Sequence, residues 1–426
     1  VLCAAAPDGR ARAERGVIEA YAHWVAAQGK WKGPTTPYPD VRPRPRPPLR
    51  LDSARLPLHV HAQADVDPAR VQRALAALED AHLLLQREGW PAPYPDGGAG
   101  ETPGFDLYLL AARPHLAAAH ADAPIHWDAL DAAASHAVVD AAAEGELLHA
   151  CVLSAYAQAA LLGQDPAEPE AHRRATAAFI VDRIAGELPC GADPGAAQAE
   201  PEAGLFGETA GSVAATGELL RQVSLRHDGG SGRFVRELWQ LARQRSEEVV
   251  RLRSSPNLVE ALQLGLENAG EDLEQASFEL AVARADAAHV VGRGLWPAPR
   301  TVQLPGYGSL PAHPPPHDPG LGPYGSAYAE VDVGEAGRGR RLQVWLRGEP
   351  GARWSLTGVR LDDRGRELGR VSIPALRTPR SFLPLELTDD TARVRLVVVR
   401  LPAAPVDLRV PAGRERWHFR LILDGG

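Results

Sequence analysis

The chain of 426 residues contains no methionine, three cysteines and few aromatics. Position 1 is not methionine, and Val1-Leu2-Cys3-Ala4-Ala5-Ala6 reads as the tail of a signal peptide, an apolar end followed by small residues, which makes processing the expectation. Export is the expectation; an ordinary chain terminus is the alternative. No run of 18 apolar residues is present, so no membrane-spanning helix is expected. Basic residues are in deficit, with a formal net charge of −8, which excludes nucleic acid or an anionic membrane as the main partner because both select a basic footprint. The sequence also lacks a G-x-S-x-G elbow and a G-x-x-x-x-G-K-[ST] loop. Gly292-x-Gly294 is too short for a nucleotide fingerprint.

What remains is an ordinary globular composition, 45% hydrophobic and 23% charged, long enough for two or three domains. Residues 1–50 hold an amphipathic helix (11–29), then a connector with seven prolines and alternating arginines between 34 and 49. Residues 51–190 mix strand and helix. Leu56–His61 alternates like a strand, which places His59 and His61 on one face; such a face is more often solvated than metal-binding. Asp67-Pro68 caps a helix running to about Gly89, and Phe105–Leu110 reads as a buried strand. An Ala-rich stretch with scattered histidines follows. The spacing then predicts helices over 144–162, ended by Gly163, and over 170–186.

Residues 191–294 form a second, helical lobe, preceded by a Gly/Ala/Pro/Glu loop over 191–204. Residues 295–325 are a Pro/Gly-rich linker. Beyond it the period changes from 3.6 to 2, and seven short strands over 326–426 predict an all-β sandwich, with Val397-Val398-Val399 in a central strand. Trp345, Trp354 and Trp417 are read as core. The fold class is therefore α+β and multidomain.

The chemistry concentrates in Gly145-Glu146-Leu147-Leu148-His149. An H-E-x-x-H helix presents two histidines at i and i+4 with a glutamate beside them as general base. Here the first histidine is glycine. Taken alone, Glu146 and His149 are an i,i+3 pair on an exposed helix face. Cys151 lies two residues from His149, a spacing at which helical side chains diverge, so a buried or disulfide-bonded cysteine fits better than a thiol nucleophile. Cys151 and Cys190 are the candidates for a disulfide in an oxidising compartment, with Cys3 left over.

The order of motifs resembles a family of secreted bacterial metalloproteases of the zincin type, from about residue 50 to about residue 401. Leu78-Glu79-Asp80 with Gly89-Trp90-Pro91, the Phe105-Asp106-Leu107-Tyr108-Leu109 strand, the Gly145–Ala150 stretch, Arg174-Ala175-Thr176-Ala177-Ala178-Phe179 and the strands near Gly325 and Trp354 carry the likeness. The resemblance implies a zincin-like lobe and a C-terminal β-sandwich. Residue by residue, it implies zinc ligands at Gly145, His149 and Arg174, and the base at Glu146. Glycine offers no donor and a guanidinium no lone pair, so one ligand survives and no bound metal is expected.

The first expectation is thus an exported, catalytically degenerate metallopeptidase-like protein with a binding or structural role and an unknown protein or cell-surface partner. In it Arg174 replaces the metal as the cation of the pocket and pairs with Glu146. The second is an active zinc metallopeptidase using His149, Glu168 and one of His136, His59 or His61. Glu168 lies 19 residues after His149, a spacing used by glutamate-type zincins. The third is a cell-surface or envelope assembly component.

Overall fold

The computed structural model describes residues 35–37, 44–94, 96, 98–100, 103–111, 115–127, 130–186, 190–243, 251–253, 255–285, 297–376, 379–402 and 416–426. The expected signal tail, Cys3, the helix over 11–29 and the Gly292-x-Gly294 stretch lie outside the described residues.

In chain order the strands are β1 (Thr35–Pro37), β2 (Leu49–Asp52), β3 (Leu58–Ala62), β4 (Phe105–Leu110), β5 (Ala117–Trp127), β6 (Leu130–Asp140), β7 (Arg251–Arg253), β8 (Thr301–Gln303), β9 (Ser326–Asp332), β10 (Arg341–Gly348), β11 (Arg353–Leu361), β12 (Glu367–Leu376), β13 (Arg380–Glu386), β14 (Arg393–Leu401) and β15 (Phe419–Gly425). The helices of six residues or more among the described residues are α1 (Pro68–Arg87), α2 (Gly145–Leu162), α3 (Glu170–Ile184), α4 (Pro194–Ala199), α5 (Ala210–Asp228), α6 (Arg233–Ala242), α7 (Leu258–Asn268) and α8 (Leu273–Ala285). The protein is a mixed α+β chain of two compact units, Val1–Ala192 with Leu220–Leu273, and Asp193–Leu219 with Glu274–Gly426.

The first unit is built on a five-stranded sheet ordered β2-β3-β4-β6-β5. β3, β4 and β6 run parallel, while β2 and β5 pair antiparallel at the two edges. The crossover from β3 to β4 is α1. Asp67 accepts the Ala69 amide and Pro68 opens the first turn, so the helix starts where the sequence placed it. Val71, Ala74, Leu78, Ala81 and Leu85 are buried at alternating spacings of three and four, one stripe of the helix. Leu83, off that stripe, is exposed.

Helix α2 packs against α1, α3 and the β5–β6 hairpin. It is buried from Ala150 to Leu162 on all sides, and its amphipathic contrast is accordingly small. By length and composition it could cross a bilayer, yet 78% of it is covered by the protein's own residues, as in a core helix. The β5–β6 hairpin was not legible as strand. Its alanines have weak strand preference, and the pairing of β6 with β4 and the packing of both hairpin strands on α2 decide its conformation.

The helical lobe expected over 191–294 is divided between the two units. The loop expected over 191–204 contains α4, capped by Asp193, and a 3₁₀ turn at Pro201–Ala203. The expected continuous helical run also contains β7, which pairs antiparallel with β1.

In the second unit the seven expected strands, β9 to β15, are present and β8 joins them, ordered β12-β11-β14-β9-β8 and β13-β10-β15 in two sheets that share one core cluster. β14 lies between β11 and β9. Val398 joins the inter-sheet core. The opposite face of this sheet meets α8, where the Tyr328 hydroxyl donates to the Ala281 carbonyl at 2.8 Å. Both faces of β14 are therefore covered, which accounts for three consecutive valines.

The expected linker over 295–325 is instead part of this unit. β8 pairs parallel with β9, and Ala312, His317 and Leu321 each bond to the backbone of the β15 edge at Leu423, Phe419 and Trp417. Trp354 is buried in the core, whereas Trp345 and Trp417 are half-buried.

Candidate functional site

Helix α2 begins at Gly145, whose φ is +55°, and a Cβ at that position would meet nothing within 4 Å. Left-handed backbone is disfavoured for any residue with a side chain. Position 145 therefore stands outside the regular helix that H-E-x-x-H requires, facing open space. Glu146 is exposed. His149, half-buried, turns its Nε2 toward Asp80 Oδ2 of α1 at 3.9 Å.

Arg174 does not pair with Glu146. Its guanidinium reaches the Gly191 carbonyl at 3.5 Å, and among the described residues no hydrogen bond or ion pair joins it to Glu146. Burial pulls the Arg174 pKa down, and the nearby Glu170 charge opposes that fall. The expected replacement of a metal by this cation is thus corrected: α3 aims Arg174 at the turn after Cys190, not at the start of α2.

Glu168 is fully buried and already committed. Oε1 bonds His172 Nδ1, and Oε2 accepts the Leu258 amide at 2.9 Å, the first amide of α7. Its backbone carbonyl accepts from Arg173. The carboxylate serves as a remote cap, satisfying an orphan helix-terminal N–H and sitting at the positive end of the α7 dipole. Beside it, burial and the Glu168 charge push the Asp165 carboxyl well above the ordinary carboxylate range.

Cys151 of α2 and Cys190 are joined in a disulfide with Cα atoms 4.8 Å apart. The bond anchors the chain after α3 to the core helix, close to where Arg174 finds its carbonyl.

The densest polar cluster lies on the sheet face opposite α1 and α2, and it was not anticipated. Alternation on β3, β4, β5 and β6 puts His59, His61, Asp106, Tyr108, His120 and His136 on one face. Asp122 is the extra residue of a bulge between Ala121 and Ala123. Arg44, from the proline-rich connector, places its guanidinium among three carboxylates. It contacts Asp122 through two nitrogens, Asp106 through a third, and Asp96 Oδ2 at 2.9 Å. Asp106 Oδ1 also accepts from His61 Nε2 at 2.7 Å, and Asp122 Oδ1 from His136 Nδ1 at 2.7 Å. Tyr108 stacks on His61 and meets His136 edge-on. Gly100 closes the cluster so tightly that a Cβ there would overlap Asp106 Oδ2.

Burial opposes the ionisation of each of these groups, but the mutual contacts prevail. The Asp122 and Asp106 charges raise the Arg44 pKa above its usual value. The His61 and Arg44 contacts hold Asp106 low, and the His136 and Arg44 contacts hold Asp122 low. Burial, reinforced by the Asp106 charge, pushes the Tyr108 hydroxyl up to about 12. His59 bonds Asp52 at 2.8 Å. The reading of His59 and His61 as a solvated face is therefore corrected, since both are buried. The signal for the cluster was present in the period-two spacing of His59/His61, Asp106/Tyr108 and His120/Asp122. Arg44 was read as linker.

A zinc site of the peptidase kind does not fit these residues. Position 145 has no donor, Glu168 has both oxygens engaged, and Arg174 brings a permanent charge elsewhere. The alternative set of His149, Glu168 and one of His136, His59 or His61 is not gathered. Among the described residues no group of three or more His, Cys, Asp or Glu is placed to hold a metal ion. The Asp–His pairs around Arg44 could orient a base, but the groups they contact are a cation and a tyrosine.

No family model and no curated protein sequence matches this chain. Among solved structures it is similar to Legionella pneumophila aminopeptidase A in complex with aspartic acid, at 10% identity and a TM-score of 0.33, over 85% of this chain and 36% of that one. It is also similar to the enzymatically active domain of bacteriophage CBA120 tailspike protein 4, at 12% identity and a TM-score of 0.17, over 23% of this chain and 13% of that one. The chain thus spans little more than a third of one neighbour and about an eighth of the other, and neither likeness is strong enough to carry fold or function across.

Proposed function

We propose that this chain is a catalytically degenerate, zincin-like metallopeptidase relic with a binding or structural role, exported from a bacterial cell, whose C-terminal β-sandwich is the interaction module. One observation carries the reading: the first ligand position of the metallopeptidase signature is Gly145, with left-handed backbone and open space around it. A relic keeps the scaffold of a site after losing its donors, and here α2 is fully packed while its polar end is unfurnished. The engagement of Glu168 as a helix cap supports the same reading. The Cys151–Cys190 disulfide supports export, because cytosolic thiols are kept reduced.

The test is metal analysis of protein purified without chelator, alongside peptidase assays with added zinc. Substoichiometric metal and no zinc-dependent hydrolysis are expected. Tight, stoichiometric zinc that disappears in His149→Ala overturns the proposal in favour of an active metallopeptidase with a non-standard ligand set. Particle size in solution separates a discrete binding protein from an envelope assembly component, which would form large homo-oligomers.

A further inference from the structure

In the three-stranded sheet β13-β10-β15, alternate residues such as Leu383, Val344 and Leu421 fill the inter-sheet core. The residues between them lie on the outer face, where they are exposed or half-buried. Strand register sorts that face into rows. Trp345 lies opposite Phe382 on one side and Ile422 on the other, so the three form one apolar row. The Trp345 and Phe382 rings pair with centroids 5.1 Å apart and planes inclined at 36°, and Phe382 is 44% exposed. Two residues further along each strand, about 7 Å away, Arg347 lies opposite both Arg380 and Arg420. All three arginines are exposed.

A cross-strand aromatic pair stabilises a sheet by itself and needs no ligand. The arginine row has no such explanation, because like charges directly opposite one another destabilise a sheet. Among the described residues, the guanidinium groups of Arg347 and Arg420 make no ion pair or hydrogen bond. Glu349, two residues beyond Arg347, accepts instead from the His418 amide at 2.9 Å. Arg341, at the other end of β10, is by contrast neutralised by Glu386 at 2.6 Å. The face therefore carries an apolar row beside a row of permanent positive charge, and the charge is not offset by the sheet itself.

We propose that this face binds an acidic polysaccharide built of uronic acid units, with sugar rings against Trp345 and Phe382 and carboxylates on Arg347 and Arg420. A pyranose ring presents a face of C–H groups, which suits an aromatic surface, and carries its carboxylate at the ring edge, which suits the guanidinium fork in the next row. Each row crosses three strands, about 10 Å, so the ligand is a short stretch of a polymer. A bilayer or a nucleic-acid duplex spreads its negative charge more widely. Either would also meet Glu386 and Asp424 on the same face and a chain of net charge −8. Such a ligand is the partner of the sandwich proposed above as the interaction module, and its assignment rests on that reading. Metal content and zinc-dependent hydrolysis decide whether the chain is a peptidase relic, and saccharide binding depends on neither.

Calorimetric titration of the full chain with the hexasaccharides of galacturonate and mannuronate tests this, beside the same sugars after reduction of their carboxyl groups, a single-stranded oligonucleotide and phosphatidylglycerol vesicles. Saturable binding of at least one acidic hexasaccharide is expected, weakened about tenfold by carboxyl reduction. Arg347→Gln should weaken it about three- to tenfold and leave the fold intact, since it relieves like-charge repulsion. Trp345→Ala should weaken it about tenfold, and Phe382→Ser, at a more exposed position, serves if Trp345→Ala fails to fold. Arg341→Gln, on the same strand but outside both rows, should bind as wild type does. Absence of saturable binding to both acidic hexasaccharides overturns the proposal. So does equal binding of the carboxyl-reduced sugars, or binding unchanged in both Arg347→Gln and Phe382→Ser. Tighter binding to the oligonucleotide or the vesicles, lost in Arg347→Gln, overturns the saccharide while keeping the sandwich as the interaction module.

Discussion

Glu168 Oε2 accepts the backbone amide of Leu258 at 2.9 Å across 90 positions of sequence, closing the N-terminus of α7 from the turn before α3. The same carboxylate holds His172, so one buried side chain joins two helices that the chain order keeps far apart. A group with that duty is part of the scaffold.

Removing it has a definite cost. Glu168→Ala leaves His172 and the Leu258 amide without their acceptor in the interior and should lower unfolding free energy by about 3–5 kcal/mol. Glu168→Gln keeps one acceptor and should cost about 1–2 kcal/mol. Urea unfolding of protein treated with chelator measures both. A loss seen only when zinc is present would make Glu168 a ligand instead of a cap.

Arg44 and its carboxylates predict a pH dependence. Asp106 and Asp122 have folded pKa values below the unfolded value of about 3.9, so between the two the unfolded chain binds more protons. Their contribution is present above pH ~4 and is lost as pH falls through the folded values. Arg44→Ala removes the cation shared by three buried carboxylates, leaving Asp106 with His61 and Asp122 with His136, should cost about 3–5 kcal/mol at pH 7, and should move the onset of acid destabilisation to higher pH. Unfolding curves taken from pH 3 to 7 check this; an unchanged acid limb in Arg44→Ala would contradict it.

The disulfide between Cys151 and Cys190 closes a loop of 39 residues. In the chain-entropy picture that constrains the unfolded state by about 4 kcal/mol. Cys190→Ala, or reduction of the native protein, should lower the unfolding midpoint correspondingly. Thiol counting under denaturing conditions should show the pair oxidised.

Gly145→Ala should cost about 1–2 kcal/mol, the penalty of a side chain in left-handed backbone. Gly145→His restores the spelling of H-E-x-x-H but should not restore a zinc site. The expected readout is the same metal content as wild type with reduced stability. Stoichiometric zinc uptake by Gly145→His would show that the backbone at 145 re-forms as helix.

Much of the architecture was readable from local pattern. Asp67-Pro68 announced α1, Gly163 ended α2, and the change to period two after residue 325 announced the strands of the second unit. These signals are local: a cap, a breaker and an alternation each act within a turn or a strand. The β5–β6 hairpin escaped because alanine has no strong preference for strand. The 312–321 segment was read as linker because prolines hide its attachment to β15.

The site divides along the same line. Sequence alone determined that Gly145 offers no donor where an H-E-x-x-H helix would place its first histidine, since a missing donor needs no structure to be seen. Tertiary structure decided everything about partners. It sent Arg174 to the Gly191 carbonyl, gave Glu168 to α7, and seated Arg44 among Asp96, Asp106 and Asp122. Charged side chains inside a protein take the partner that geometry brings within hydrogen-bond reach, and that choice depends on how strands and helices pack, over separations of 62 and 78 residues for Arg44 with Asp106 and Asp122, which no local pattern encodes.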